Sequence, residues 1–265
     1  MSGMSVMTLA AIVLLAGCND DQFVAPEPVV PAPTVYSGSG DIAATVAEFR
    51  AALGSSNGGT PGEQPTGRRE ITWDGAVARP FNNKNDFPAD FFNRNVKSGA
   101  VFRTIGTGLR NDSTLFAEIN PTYATQFSFF SANEIFAPIG SNQLEQVFQI
   151  AGEQTAAVTR AFGIVLSDVD LADRTTIELF AEDGSLLGRY AAPVRSDAAG
   201  LSFIGVVYPD AVIDRVRITL GTGAMGPDVN DVSAGGTVDL VALDNVIFGE
   251  PTRRCDRCGS GTPRS

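Results

Sequence analysis

Histidine is missing from this 265-residue chain. Its absence removes the commonest general base, the commonest metal ligand and every Ser-His or Cys-His nucleophile pair. Chemistry by carboxylate, lysine or tyrosine is what remains. Aromatic side chains with a polar handle are scarce as well, at one Trp and four Tyr, so Trp73, Tyr123, Tyr190 and Tyr208 are the few candidates for a sugar-stacking platform. Positive charge is short: 19 Lys and Arg stand against 30 Asp and Glu, for a net charge of -11. A polyanion requires a basic patch, and the one dense cluster, Arg253, Arg254 and Arg257, falls in a short tail that reads as solvated. Nucleic acid is therefore not an expected partner. With only three cysteines, the fold must rest on its core, and 43% hydrophobic against 18% charged residues is a globular composition.

The N-terminus carries an address. From Val6 to Gly17 the chain is uncharged and largely apolar, ending in Leu15-Ala16-Gly17-Cys18 with polar Asn19, Asp20 and Asp21 behind. The run is shorter than the about 20 residues needed to span a bilayer but suits the apolar region of a signal peptide. The motif resembles the lipobox of bacterial lipoproteins. That resemblance implies a signal peptide over residues 1–17 and diacylation of Cys18. The protein would then be anchored in the lipid bilayer of the cell envelope, at the outer membrane or cell surface. One departure is that residues 1–5 lack the positive charge with which such peptides usually begin.

Residues 18–40 hold Pro26, Pro28, Pro31 and Pro33 and then Ser37-Gly38-Ser39-Gly40, the composition of an extended tether that becomes flexible. Over residues 41–53, Asp41 can cap a short helix that lines up Ile42, Val46, Phe49 and Leu53 on one face, with Gly54 as its stop. Residues 54–67 read as a linker, residues 68–251 as the folded domain and residues 252–265 as a basic tail. Within the domain, strand signals cover residues 100–105, 126–130, 143–150 and 161–166. Over residues 212–220, Val216, Ile218 and Leu220 alternate with Arg215, Arg217 and Thr219, as in a strand with one wet face. Asp183-Gly184 between two further strands favours a type I′ hairpin. No long amphipathic helix intervenes, which predicts an all-β fold, an antiparallel two-sheet sandwich of jelly-roll type with one short N-terminal helix. The Phe residues, among them Phe91, Phe92, Phe127, Phe129 and Phe130, read as its filling.

Ile71-Thr72-Trp73-Asp74, residues 162–170, 201–206 and 216–219, and the closing Leu243-Asp244-Asn245-Val246-Ile247-Phe248-Gly249-Glu250-Pro251 together resemble a group of exported bacterial proteins of unknown function, many bearing sorting tails of the PEP-CTERM type. The resemblance spans about residues 41–251. It implies a galactose-binding-type jelly roll, as in carbohydrate-binding modules, in which an Asp of the last strand helps to hold a structural calcium. It implies no enzymatic role. Here a lipobox stands in place of the C-terminal sorting segment.

Asp168, Asp170 and Asp173 form an Asp-x-Asp-x-x-Asp run past a strand, with the first two on one side. Calcium takes about six to eight hard oxygen ligands, so loop carboxylates at a strand end suit it; the alternative is that these aspartates only cap turn amides. Asp244 alternates with Leu240, Ala242, Val246 and Phe248, which puts it on an apolar face unless a bulge intervenes, and a buried carboxylate requires a partner. A cation, an Arg or backbone N–H donors can fill that role; the resemblance favours calcium, with Asp74 as second ligand. Arg215 and Arg217 could meet an acidic ligand by bidentate bonding, or simply form a solvated face. Cys255-Asp256-Arg257-Cys258 is a lone C-x-x-C, half of a zinc ribbon, and reads as a small disulfide loop permitted by export. The functional expectation is an envelope lipoprotein acting as a non-catalytic binding module for a glycan or an envelope protein, stabilised by calcium. The alternatives are a structural or adhesive envelope component and a hydrolase recruiting Asp168, Asp170, Glu134 or Glu145.

Overall fold

Alternate-residue burial divides the strands into two kinds, and the division decides where a site can lie. The computed structural model describes residues 31–254, apart from 196 and 198. In chain order the elements are β1 (Thr34–Ser39), α1 (Ala43–Leu53), β2 (Arg68–Ile71), α2 (Phe91–Arg94), β3 (Ala100–Arg103), β4 (Gly108–Asp112), β5 (Ile135–Ile139), β6 (Gln143–Phe148), β7 (Ala157–Val158), β8 (Ala161–Ser167), β9 (Thr176–Phe180), β10 (Leu186–Ala191), β11 (Leu201–Val207), β12 (Arg215–Thr219), β13 (Ala242–Gly249) and β14 (Thr252–Arg253). A seven-stranded sheet runs β1-β11-β8-β13-β5-β4 with β2 also on β13; a five-stranded sheet runs β10-β9-β12-β6-β3. The pairings of both are antiparallel. Strands β5, β6, β8, β9, β10, β11, β12 and β13 are wound so that β5-β13-β8-β11 faces β6-β12-β9-β10. That is the jelly-roll winding, and β1, β2, β3 and β4 extend it. The two-sheet sandwich expected from the sequence is therefore the fold found.

The main core lies between the sheets, where Phe162, Ile164, Leu166, Val246 and Phe248 meet Leu144, Phe148, Ile177, Leu179, Val216 and Ile218. The five-stranded sheet leaves its other face wet: β6 and β12 alternate buried with half-buried or exposed residues. The larger sheet is covered on its second face too. Over one part of it α1 lays Ile42, Val46, Phe49 and Leu53 on Ala161, Val165, Phe203 and Ile247. Gly163 and Gly205 are required there, because a Cβ at either would stand 2.6 or 2.7 Å from the Phe49 ring. Phe116, Tyr123 and Phe127 cover Ile135, Ala137 and Ala242 on another part. β8 and β13 are consequently buried at every position. No described helix is long and apolar enough to cross a membrane.

Several sequence expectations are corrected here. The end of the tether is not flexible, since residues 34–39 form edge strand β1 in full register with β11; their hydrogen bonds are main-chain bonds that Ser and Gly can make as well as any residue. A second helix, one turn long, forms at Phe91–Arg94. The linker at residues 54–67 is folded around the buried Arg69, whose guanidinium donates to the carbonyls of Gly58 and Thr60 at 2.9 and 2.7 Å, to that of Gly62, and to that of Lys97. Glu250 receives Arg69 through Nε and Nη2, both at 2.6 Å. The basic tail begins docked: β14 pairs with β7, and Arg254 reaches Asp214 and Glu182. Residues 126–130 are no strand but a segment held by side chains, with Ser128 N–H on Ser167 Oγ and Phe130 N–H on Asp244 Oδ2. The Asp183-Gly184 hairpin joins β9 to β10 as expected, yet only Gly184 has positive φ, at 83°. A type I′ turn needs positive φ at both central residues, and the Gly184 N–H bond to Ala181 O closes a different turn. Cys18, Cys255 and Cys258, with the proposed signal peptide, lie outside the described residues.

Candidate functional site

The site is assembled where β8 ends. Asp168 takes a left-handed φ of 70°, and its N–H bonds to Gly200 O, which turns the chain so that Val169 stays in the core while Asp170 joins Asp168 on one side. Asp231 arrives from the loop before the turn Val232–Ala234, accepting the N–H of Ser233 at 2.6 Å and of Leu240 at 2.7 Å. Asp239, just ahead of β13, accepts the N–H of Asp170 and of Leu171, each at 3.3 Å. One carboxylate oxygen from each of Asp168, Asp170 and Asp231 falls within 4.8 Å of the other two. Asp168, Asp231 and Asp239 are buried, Asp168 at 0% exposure.

This cluster is short of donors. Asp168 Oδ2 accepts from Gln126 Nε2, but Asp168 Oδ1 and both oxygens of Asp170 are buried without a partner. Among the described residues no lysine or arginine forms an ion pair with any of the four aspartates; the nearby Arg195 is engaged by Asp197. Burial pushes Asp168 up to about 8, Gln126 pulls it down, and Asp170, Asp231 and Asp239 push it further up. Asp170 is raised to about 7 by burial and then by Asp231, Asp239 and Asp197. Asp239 is raised by burial, against the two backbone N–H bonds it accepts. Crowded acceptor oxygens with no donor are what a hard cation satisfies.

The structure brings part of the expected run together. Asp168 and Asp170 belong to the cluster, whereas Asp173 is exposed beyond the turn and stays outside it. Its place is taken by Asp231 and Asp239, which the sequence reading missed. The one local signal is that Asp231 stands two residues before Ser233, the spacing of a side chain capping a turn.

Asp244 sits in a β-bulge, where the register of β13 on β8 shifts between Leu243 and Val246. Its Oδ2 accepts Phe130 N–H at 2.7 Å and its Oδ1 accepts Ser131 Oγ–H at 3.0 Å. Burial still raises it to about 7, those bonds lowering it and Asp74 raising it. Asp74 is thus its neighbour, as the resemblance implies, but Asp244 finds its company in donors of the chain itself, so a calcium there is not required by Asp244. Asp74 Oδ1 and Glu134 Oε2 lack partners beside it, and burial raises both groups.

The remaining candidates disperse. Glu145 lies on the wet face of the smaller sheet, bonded to Arg215 at 2.6 Å and lying 3.5 Å from Arg217. Both arginines also lie over the Phe180 ring, at 4.1 and 5.2 Å, and Arg217 reaches Glu178. They are spent on a cross-strand ladder rather than free for an acidic ligand. Glu134 is buried against Asn82, so the four carboxylates considered for hydrolysis do not share a cleft. Trp73, Tyr123 and Tyr208 are core residues, and Tyr190 is half-buried with its hydroxyl 3.3 Å from that of Tyr208.

No family model matches the chain, and no curated protein matches it. Among solved structures, it is similar to the enzymatically active domain of tailspike protein 4 from bacteriophage CBA120, at 14% identity and a TM-score of 0.28. That likeness covers 65% of this chain and 22% of the tailspike chain, so the chain spans well under two thirds of that protein's length.

Proposed function

We propose that the protein is an exported, lipid-anchored component of the bacterial envelope whose sandwich is a non-catalytic interaction module held with its aspartate-lined end outward. The polarity of the sandwich carries this reading. β1 begins at Thr34 beside Val207 and finishes at Ser39 beside Ser202. β13 begins at Ala242 beside Ser167, runs to Gly249, and is followed by β14 and by Arg254 against Asp214. Both ends of the described chain therefore leave from the end of the sandwich opposite Asp168. A tether leading back from Pro31 to an acylated Cys18 starts from that same remote end.

The outward end would carry Ile105 in the loop that crosses from β3 to β4, 82% exposed, with Leu171 and Val194 beside the aspartate turn, each 38% exposed. Burial of Trp73, Tyr123 and Tyr208 withdraws the stacking platforms a sugar would use. Of the two partners expected from the sequence, an envelope protein is thus favoured over a glycan. The test uses the full chain with Cys255 and Cys258 replaced by serine, in membranes, with a fluorophore at Ile105→Cys or at Asp183→Cys in the β9–β10 hairpin. A quencher confined to the bilayer should dim the Asp183 label more than the Ile105 label, and Cys18→Ser should release the protein. Equal quenching rejects the orientation; retention of the Cys18→Ser protein in membranes rejects the anchor.

A further inference from the structure

We infer that the chain binds a calcium ion among Asp168, Asp170 and Asp231, with Asp239 holding the turn that presents the first two. The inference is independent of lipid anchoring and of any partner. Its first support is convergence: two stretches far apart in sequence, the turn holding Asp168 and Asp170 and the loop holding Asp231, bring one carboxylate oxygen from each of the three within 4.8 Å of one another. The second is an orphan. Asp168 is 0% exposed, yet its Oδ1 meets no donor, and neither do Asp170 Oδ1 and Oδ2. A buried polar atom without a partner costs about 1–3 kcal/mol, and more when it is charged, so a folded protein keeps three of them in one place only if something else satisfies them.

The backbone donors nearby are already committed. Asp239 takes the N–H groups of Asp170 and Leu171, and Asp231 takes those of Ser233 and Leu240. These bonds fix the positions of the four side chains without filling the space between them, and each bonded oxygen retains a second lone pair. No cationic side chain is paired there among the described residues. The donor set is all oxygen, irregular and strongly anionic. That suits calcium, with its about six to eight flexible oxygen ligands, better than magnesium, which demands near-ideal octahedral geometry and dehydrates reluctantly. Water or backbone carbonyls would complete the shell.

The test is calorimetric titration of the full, chelator-stripped chain with calcium alone, and in parallel with magnesium alone. Wild type should bind one calcium at the cluster, with magnesium at least about tenfold weaker. Asp168→Asn and Asp170→Asn should each weaken calcium by about tenfold or more, while Asp173→Asn, outside the cluster, should leave it unchanged. Asp170→Asn keeps the fold test clean, because no N–H group of the protein donates to either oxygen of Asp170; far-ultraviolet dichroism establishes that each variant is folded. Absence of calcium heat in the folded wild type overturns the inference. Binding that survives Asp170→Asn unchanged, or that falls equally with Asp173→Asn, also overturns it by placing the ion elsewhere.

Discussion

Strand β13 is flanked by buried carboxylates that the protein treats in opposite ways. Past its end, Glu250 is met by Arg69 through two 2.6 Å bonds, and Arg69 spends its remaining donors on loop carbonyls. Ahead of its start, Asp239 stands with Asp168, Asp170 and Asp231, and no cationic side chain is paired with them among the described residues. The first arrangement is complete as it stands: charge, hydrogen bonds and loop path are all settled inside the chain. The second is charge in excess, and what it lacks has to come from solvent, as protons or as a metal ion. A buried ion pair is weak grounds for inferring function, because it closes on itself. An open anionic cluster is stronger grounds, because it does not.

The largest expected effect comes from opening the closed end. Glu250→Ala leaves Arg69 buried with no counter-charge and should cost about 3–5 kcal/mol in urea unfolding. A loss under about 1 kcal/mol would mean that the loop carbonyls alone hold Arg69. At the open end the same kind of change should act in the other direction. Asp170→Asn removes one repelling charge from the metal-free cluster, so at alkaline pH it should stabilise the chelated protein by about 1 kcal/mol, a gain of roughly 2–4 °C in Tm. Destabilisation would show that the Asp170 carboxylate already has a partner. The smallest effect belongs to the wet face of the smaller sheet: Arg217→Ala, 39% exposed, should change stability by less than about 1 kcal/mol. A larger loss would mean that the Glu145–Arg217–Glu178 ladder is a structural network comparable to the closed end.

The smaller sheet was legible in the sequence because only one of its faces is buried. Val216, Ile218 and Leu220 alternate with Arg215, Arg217 and Thr219, and the structure places them accordingly. The stripe Ile42, Val46, Phe49 and Leu53 was legible for the same reason. The larger sheet was harder to read because α1 and the Phe116–Tyr123–Phe127 cover bury its second face, so β8 and β13 are buried at every position and show no alternation. β1 escaped notice because TVYSGS offers no apolar pattern; its place is fixed by main-chain bonds to β11. The site was half legible. Asp168 and Asp170 announce themselves by i, i+2 spacing at a strand end, whereas Asp231 and Asp239 come from a distant loop, and only folding could replace Asp173 with them. Arg69 and Glu250 were unreadable as a pair for the same reason, lying at the two ends of the domain sequence.

The most direct test is thermal unfolding of the chelated protein from about pH 5 to about pH 8, repeated with saturating calcium. Asp168, near 8, and Asp170, near 7, both lie above the unfolded carboxylate value of about 3.9. The folded state therefore holds protons that the unfolded chain has already released, and stability in chelator should fall as pH rises through that window. Calcium replaces those protons, so it should flatten the decline and raise Tm most at the alkaline end, by roughly 5–10 °C at saturation. Asp244, near 7, adds a smaller decline common to both series. Identical slopes with and without calcium would contradict the account, since the aspartate cluster would then hold its charge without help from any ion.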